Sequence, residues 1–134
     1  MMQGNFLKES GLIPDYIAAS TAVRALRTAE VLALSIGHAP EIVAKQALYN
    51  APGDALLAFV QALPESVSTP LVVAHMPGVA ELLLLLTPEF AEMGMDVRPC
   101  TLASVTLEPP ATWKAVTPGS GSLEWLLPPL LGRE

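Results

Sequence analysis

The chain has 134 residues, 51% of them hydrophobic and 15% charged, with a formal net charge of −6. This composition excludes disorder, and the length suits a single domain, residues 1–134, with a core of its own. Only seven lysines and arginines are present and they form no basic stripe, which argues against a nucleic-acid partner.

The first ten residues read as the tail of a helix, with Met2, Phe6 and Leu7 on one side and Gly11 as its stop. Asp15 to Ala19 reads as a short strand, and Ser20 as the N-cap of a helix from Thr21 to Ile36 that Gly37 ends. Ile42 to Tyr49 fits a further strand. Asp54 caps a helix in which Leu56, Leu57, Val60 and Leu63 recur at helical spacing. Leu71 to His75 is an apolar strand, and Gly78 to Leu86 a helix with Val79, Leu82, Leu83 and Leu86 inward. Residues 87–99 are poorly patterned. Thr101 to Leu107 alternates as a strand, Thr112 to Thr117 reads as another, and the tail from Pro118 as irregular. Alternating strands and helices imply an α/β sheet covered on both faces. The chain opens in mid-helix, so its first βα unit is expected to be incomplete.

No apolar run approaches the roughly 20 residues of a membrane span, and polar residues from Gln3 onward interrupt any secretion signal. The single cysteine, Cys100, excludes an internal disulfide framework and fits a reducing cytosol, so a cytoplasmic protein with no membrane partner is expected. No metal-ligand cluster or cofactor motif stands out, and none is expected.

Two segments carry chemistry. In Leu71-Val-Val-Ala-His75-Met-Pro-Gly78 a strand delivers a histidine to its carboxyl end and then turns into a helix. Open α/β sheets bind ligands at that end of the strands, and a helix start there points unpaired N–H groups and a positive dipole end into the crevice. In Ser20-Thr-Ala-Val-Arg24-Ala-Leu-Arg27-Thr28 a second strand end opens a second helix, with residues 20, 24 and 27 on one face. An imidazole and a guanidinium near two helix starts suit an anion such as phosphate. The structural alternatives are a satisfied strand-end histidine and ordinary surface arginines; for Arg27 the surface role is the better reading.

These residues resemble the histidine phosphatase superfamily, which has the phosphoglycerate mutase-like fold. Ser20 to Glu30 is similar to its second signature, and Ala74-His75-Met-Pro-Gly78 to its third, usually Gly-His-Asn-Pro. The segment Leu48-Tyr49-Asn-Ala51 and the chain's close around Trp113 and Pro128-Pro129 are similar to the compact SixA-type phosphohistidine phosphatases. The resemblance implies a three-layer α/β/α sandwich. It also implies that Arg24 and His75 are catalytic residues, that Arg24 grips phosphoryl oxygens as a fork of donors, and that His75 stabilises charge on the transferred group. Ser20, Met76 and Gly78 would complete the phosphate pocket. Ala74 and Met76 stand where the family usually has glycine and asparagine, which removes an amide that could orient neighbouring groups.

The family's first signature, an Arg-His pair whose histidine is the nucleophile, has no counterpart in these residues; the only other histidine, His38, reads as a surface loop residue. By comparison with the family a leading βα unit of roughly 30 residues is absent, which implies an N-terminally truncated chain. The absent strand is expected in the middle of the sheet, between the strands ending at Ser20 and His75, and its loss to promote self-association. The open stretch between Arg24 and His75 holds no lid and no carboxylate near Tyr49. This suits a phosphoramidate, whose imidazole leaves more easily than an alkoxide, and so a phosphohistidine-bearing protein as substrate. Three readings follow: a phosphohistidine phosphatase-like protein inactive as written for want of its nucleophile, a non-catalytic phosphate- or phosphoprotein-binding module, and a plain structural or interaction domain.

Overall fold

The computed structural model describes residues 9, 11, 13–37, 40–89, 102–107 and 112–127. The helix expected over the first ten residues, except Glu9, which is helical, lies outside them, as do His38, Cys100 and most of the stretch expected to be poorly patterned. Gly11, expected to stop that helix, has a φ of 78°. The chain forms two compact units.

The described residues of the first unit (residues 1–50 and 64–75) include a parallel sheet of three strands and a helix against it. Strand β1 spans Tyr16–Ser20, helix α1 Val23–Ile36, β2 Ile42–Lys45 and β3 Pro70–Val73. The strand order is β2-β1-β3. Ile17 to Ser20 are fully buried, as a central strand requires. The buried residues of α1 are Ala25, Ala29, Leu32 and Ile36, one stripe at i, i+4, i+7 and i+11. Ala29 packs with Ile17 and Ala19, and Leu26, Ala33, Ile42, Leu71 and Val73 close around them. Alanines on both sides let helix and strand approach closely, and burial of Ile17 alone is worth about 1.5–3 kcal/mol. Gly37 ends α1 with a φ of 97° and returns its N–H to Ala33.

Asp15 sets the register of β1 against β3. Its carboxylate accepts the backbone N–H groups of Ser68 and Thr69, each at 2.8 Å, and its own N–H donates to the Thr69 carbonyl at 3.0 Å. The pairing then runs Tyr16 with Pro70, Ile17 with Leu71, Ala18 with Val72 and Ala19 with Val73.

The second unit (residues 51–63 and 76–134) holds α2 at Gly53–Gln61, α3 at Gly78–Leu86 and an antiparallel pair, β4 Leu102–Leu107 with β5 Gly121–Leu127. Helices α2 and α3 pack together, and the Gly53 N–H donates to the Glu81 carboxylate at 2.8 Å. A 3-10 turn at Trp113–Ala115 is tied back to α2 through Gln61, whose side-chain amide donates to the Val116 carbonyl. No helix among the described residues is long and apolar enough to cross a membrane.

Several expectations change. Strands β1 and β3 pair directly, so no strand is missing between them. Ser20 is the last residue of β1, and Ala22 takes the N-cap position of α1 without a side-chain cap. The strand expected to run to Tyr49 stops at Lys45 and gives way to a 3-10 turn, Gln46–Leu48. Asp54 lies inside the first turn of α2, and Pro52 precedes it as the N-cap. The strand expected over Thr112 to Thr117 is a turn, while the tail from Pro118 supplies β5, where the exposed Ser122 and Glu124 alternate with Gly121 and Leu123. Strand β3 ends two residues before His75.

Asp15→Ala should lower stability to urea by about 1–2 kcal/mol, since two charge-assisted hydrogen bonds are lost at an exposed carboxylate. Hydrogen exchange should quicken selectively at the amides of Thr69 to Val73; uniform change across the chain would contradict the register role.

Candidate active site

The carboxyl ends of β1 and β3 bring Ser20 and His75 together. Because Ala19 pairs with Val73, the chain just past β3 lies beside the last residue of β1. The Ser20 Oγ stands 2.7 Å from His75 Nε2, and it accepts the Ala22 N–H at 3.2 Å. Ser20 is completely buried, while His75 is half-buried. The hydroxyl thus links the strand end, the start of α1 and the imidazole.

Tyr49 forms another wall. Its ring meets that of His75 edge-on, with centroids 5.5 Å apart and planes at 65°. The ring is 47% exposed, so one part faces His75 and another faces solvent. Its backbone closes the 3-10 turn through a 3.0 Å bond to the Gln46 carbonyl, the fully buried Leu48 anchors that turn, and Asn50 leaves it with a φ of 49°. Thr21 donates to the Gln46 side-chain oxygen at 2.7 Å, stapling the loop after β1 to the turn after β2.

Arg24 lies on the first turn of α1 and is exposed; its carbonyl accepts the Thr28 hydroxyl at 2.9 Å. Among the described residues its guanidinium has no hydrogen-bonding or ionic partner. Arg27 is exposed one turn along. Met76 is half-buried, its bond to Pro77 is cis, and Gly78 is buried as the first residue of α3 in the second unit. A Cβ on Gly78 would run into the carbonyl oxygen of Ala51, so packing alone demands glycine there.

Sequence reading passed over Lys45. It is the register partner of Ser20 on β2 and half-buried, so its side chain emerges on the same face of the sheet edge. The signal was the position of a lone lysine at the end of an apolar strand, hidden by extending that strand to Tyr49. An ammonium and an imidazole near strand ends, with a guanidinium on the first turn of α1, are groups of the kind that hold an anion through charge-assisted hydrogen bonds.

Tyr49→Ala should move the His75 ring-proton resonances, through loss of the neighbouring ring current, while costing less than about 1.5 kcal/mol of stability. Unchanged His75 resonances would show that the two rings do not meet in solution.

No protein-family model and no curated protein sequence matches the chain. Solved structures are similar. The protein histidine phosphatase SixA complexed with tungstate superposes with a TM-score of 0.76 at 24% identity, covering 95% of this chain and 76% of that one. The SixA protein from Nakamurella multipartitia gives 0.73 at 23% identity, covering 96% and 78%, and that from Agrobacterium tumefaciens 0.74 at 21%, covering 96% and 76%. The chain therefore has the α/β, phosphoglycerate mutase-like fold of the SixA histidine phosphatases.

Proposed function

We propose that the chain is a phosphohistidine phosphatase-like protein that holds the phosphoryl group of a protein phosphohistidine and, in these 134 residues, does not turn it over. The observation that carries this reading is the Ser20–His75 pair at the carboxyl edge of β1 and β3, with the guanidinium of Arg24, uncommitted among the described residues, on the helix that follows β1. Phosphoryl oxygens would meet Arg24 and the His75 ring N–H. Transfer needs a further group in line with the leaving nitrogen, which would take the phosphoryl as that P–N bond breaks and later yield it to water. No Arg-His pair occurs in the sequence to provide it. The non-catalytic phosphate-binding module is favoured over a plain structural domain by that same uncommitted arginine.

A strand bearing a nucleophile has one place to pair beside His75. Among the described residues β3 has β1 as its only strand neighbour, so its other edge is open. Leu71, Val72 and Val73 are apolar on both faces yet only half-buried, a composition that belongs to a central strand.

The purified chain should release no phosphate from a phosphohistidine peptide; turnover that persists in His38→Ala would overturn this reading. For binding, Arg24→Ala should weaken tungstate affinity about tenfold or more, the usual cost of a charge-assisted contact, and Arg27→Ala far less. Equal effects, or none, would favour the structural domain.

A further inference from the structure

We infer that Ser20 acts on His75 and not on a ligand: it is a positioning residue that keeps the neutral imidazole as the Nδ1–H tautomer. The argument is one of hydrogen-bond capacity. A serine hydroxyl has one hydrogen to donate and two lone pairs. One lone pair of Ser20 accepts the Ala22 N–H at 3.2 Å, and Oγ lies 2.7 Å from His75 Nε2. Ser20 is 0% exposed, so its hydrogen cannot be left to solvent. Among the described residues, Nε2 is the acceptor in reach of that hydrogen. Donation of O–H into Nε2 occupies the lone pair of that nitrogen, and the ring proton must then sit on Nδ1. The opposite tautomer would push Nε2–H toward Oγ and orphan a buried hydroxyl hydrogen, a penalty that favours the Nδ1–H form by about tenfold or more.

Tyr49 supports the same arrangement, because its ring lies edge-on to the imidazole and limits its rotation. The outcome differs from free histidine, in which the Nε2–H form is the more populated. Ser20 thereby has no hydrogen left for an anion: its hydrogen goes to His75 and one of its two lone pairs accepts from Ala22. It contributes to anion binding only by presenting Nδ1–H as the donor of the ring. That consequence for the ligand rests on the function proposed above; the tautomer does not.

The test is a long-range proton–nitrogen correlation spectrum of the 15N-labelled chain at about pH 9, above the ordinary range of imidazole titration, with His38→Gln used to assign the rings. In the wild-type chain His75 should show a protonated Nδ1 and an unprotonated Nε2. In Ser20→Ala the pattern should reverse toward that of free histidine, and Ser20→Thr, which keeps the hydroxyl, should retain it. A wild-type His75 in the Nε2–H form would overturn the inference without any variant, and so would a Ser20→Ala spectrum identical to wild type. No ligand enters this measurement. Failure of the wild-type chain to bind tungstate would therefore count against the proposed function, and leave the tautomer to be decided by the spectrum.

Discussion

The parallel register of β1 against β3 is the constraint from which the site follows. Two peptide N–H groups of the incoming strand close on one carboxylate, that of Asp15, at the amino end of the pair. Five residues later along β1 the same register leaves Ser20 beside the chain that carries His75. A slip of one residue would turn Ser20 to the opposite face of the sheet and bury a hydroxyl without a partner. Because Ala19 and Ile17 are locked under α1, the slip would also expose the first unit's core. The polar pair and the apolar core therefore select the same register.

The carboxyl-terminal part of the central strand, Ala18-Ala19-Ser20, is built from small residues, and this has a functional side. Ala18, Ala19 and Ser20 are fully buried. Alanine lets α1 lie close to the sheet, which brings its first turn, with Arg24, near the strand end. Ser20 ends that run with a side chain small enough to be buried and polar enough to bridge Ala22 and His75. Its hydroxyl does at the strand end part of what a capping side chain does, and α1 begins without a cap of its own.

Much of this arrangement was legible in the sequence. The apolar run before His75 and the Ala-rich stripe after Ser20 are long enough, and bounded by clear enough breaks, to fix a strand and a helix within a residue or two. The same segments carry the motifs that pointed to the histidine phosphatase fold. What was hidden depends on pairing, which is not a local property. Nothing in residues 42–49 marks the point at which a strand becomes a 3-10 turn, so Lys45 went unnoticed and the contact between Tyr49 and His75 was invisible. The alternation in Gly121–Leu127 is masked by the prolines on either side of it, and it becomes a strand by pairing with β4. Direct pairing of β1 with β3 could not be read either, because parallel partners are joined by long crossovers that leave strand order open.

The hydrogen-bond logic inferred at Ser20 also bears on whether His75 could serve as a nucleophile in the proposed function. Attack on phosphorus needs a nitrogen lone pair directed at the phosphoryl group. In the neutral ring inferred here the Nε2 lone pair receives the Ser20 hydroxyl and Nδ1 carries the proton, so neither nitrogen offers one. In the protonated ring both nitrogens are donors. His75 can therefore donate to a phosphoryl oxygen in either state and accept the phosphoryl group in neither. Under the proposed function, such a histidine and a guanidinium without a partner among the described residues would be complementary to negative charge. On the proposed function, the inferred geometry holds His75 as a donor, so the nucleophile of a transfer reaction would have to be a different residue.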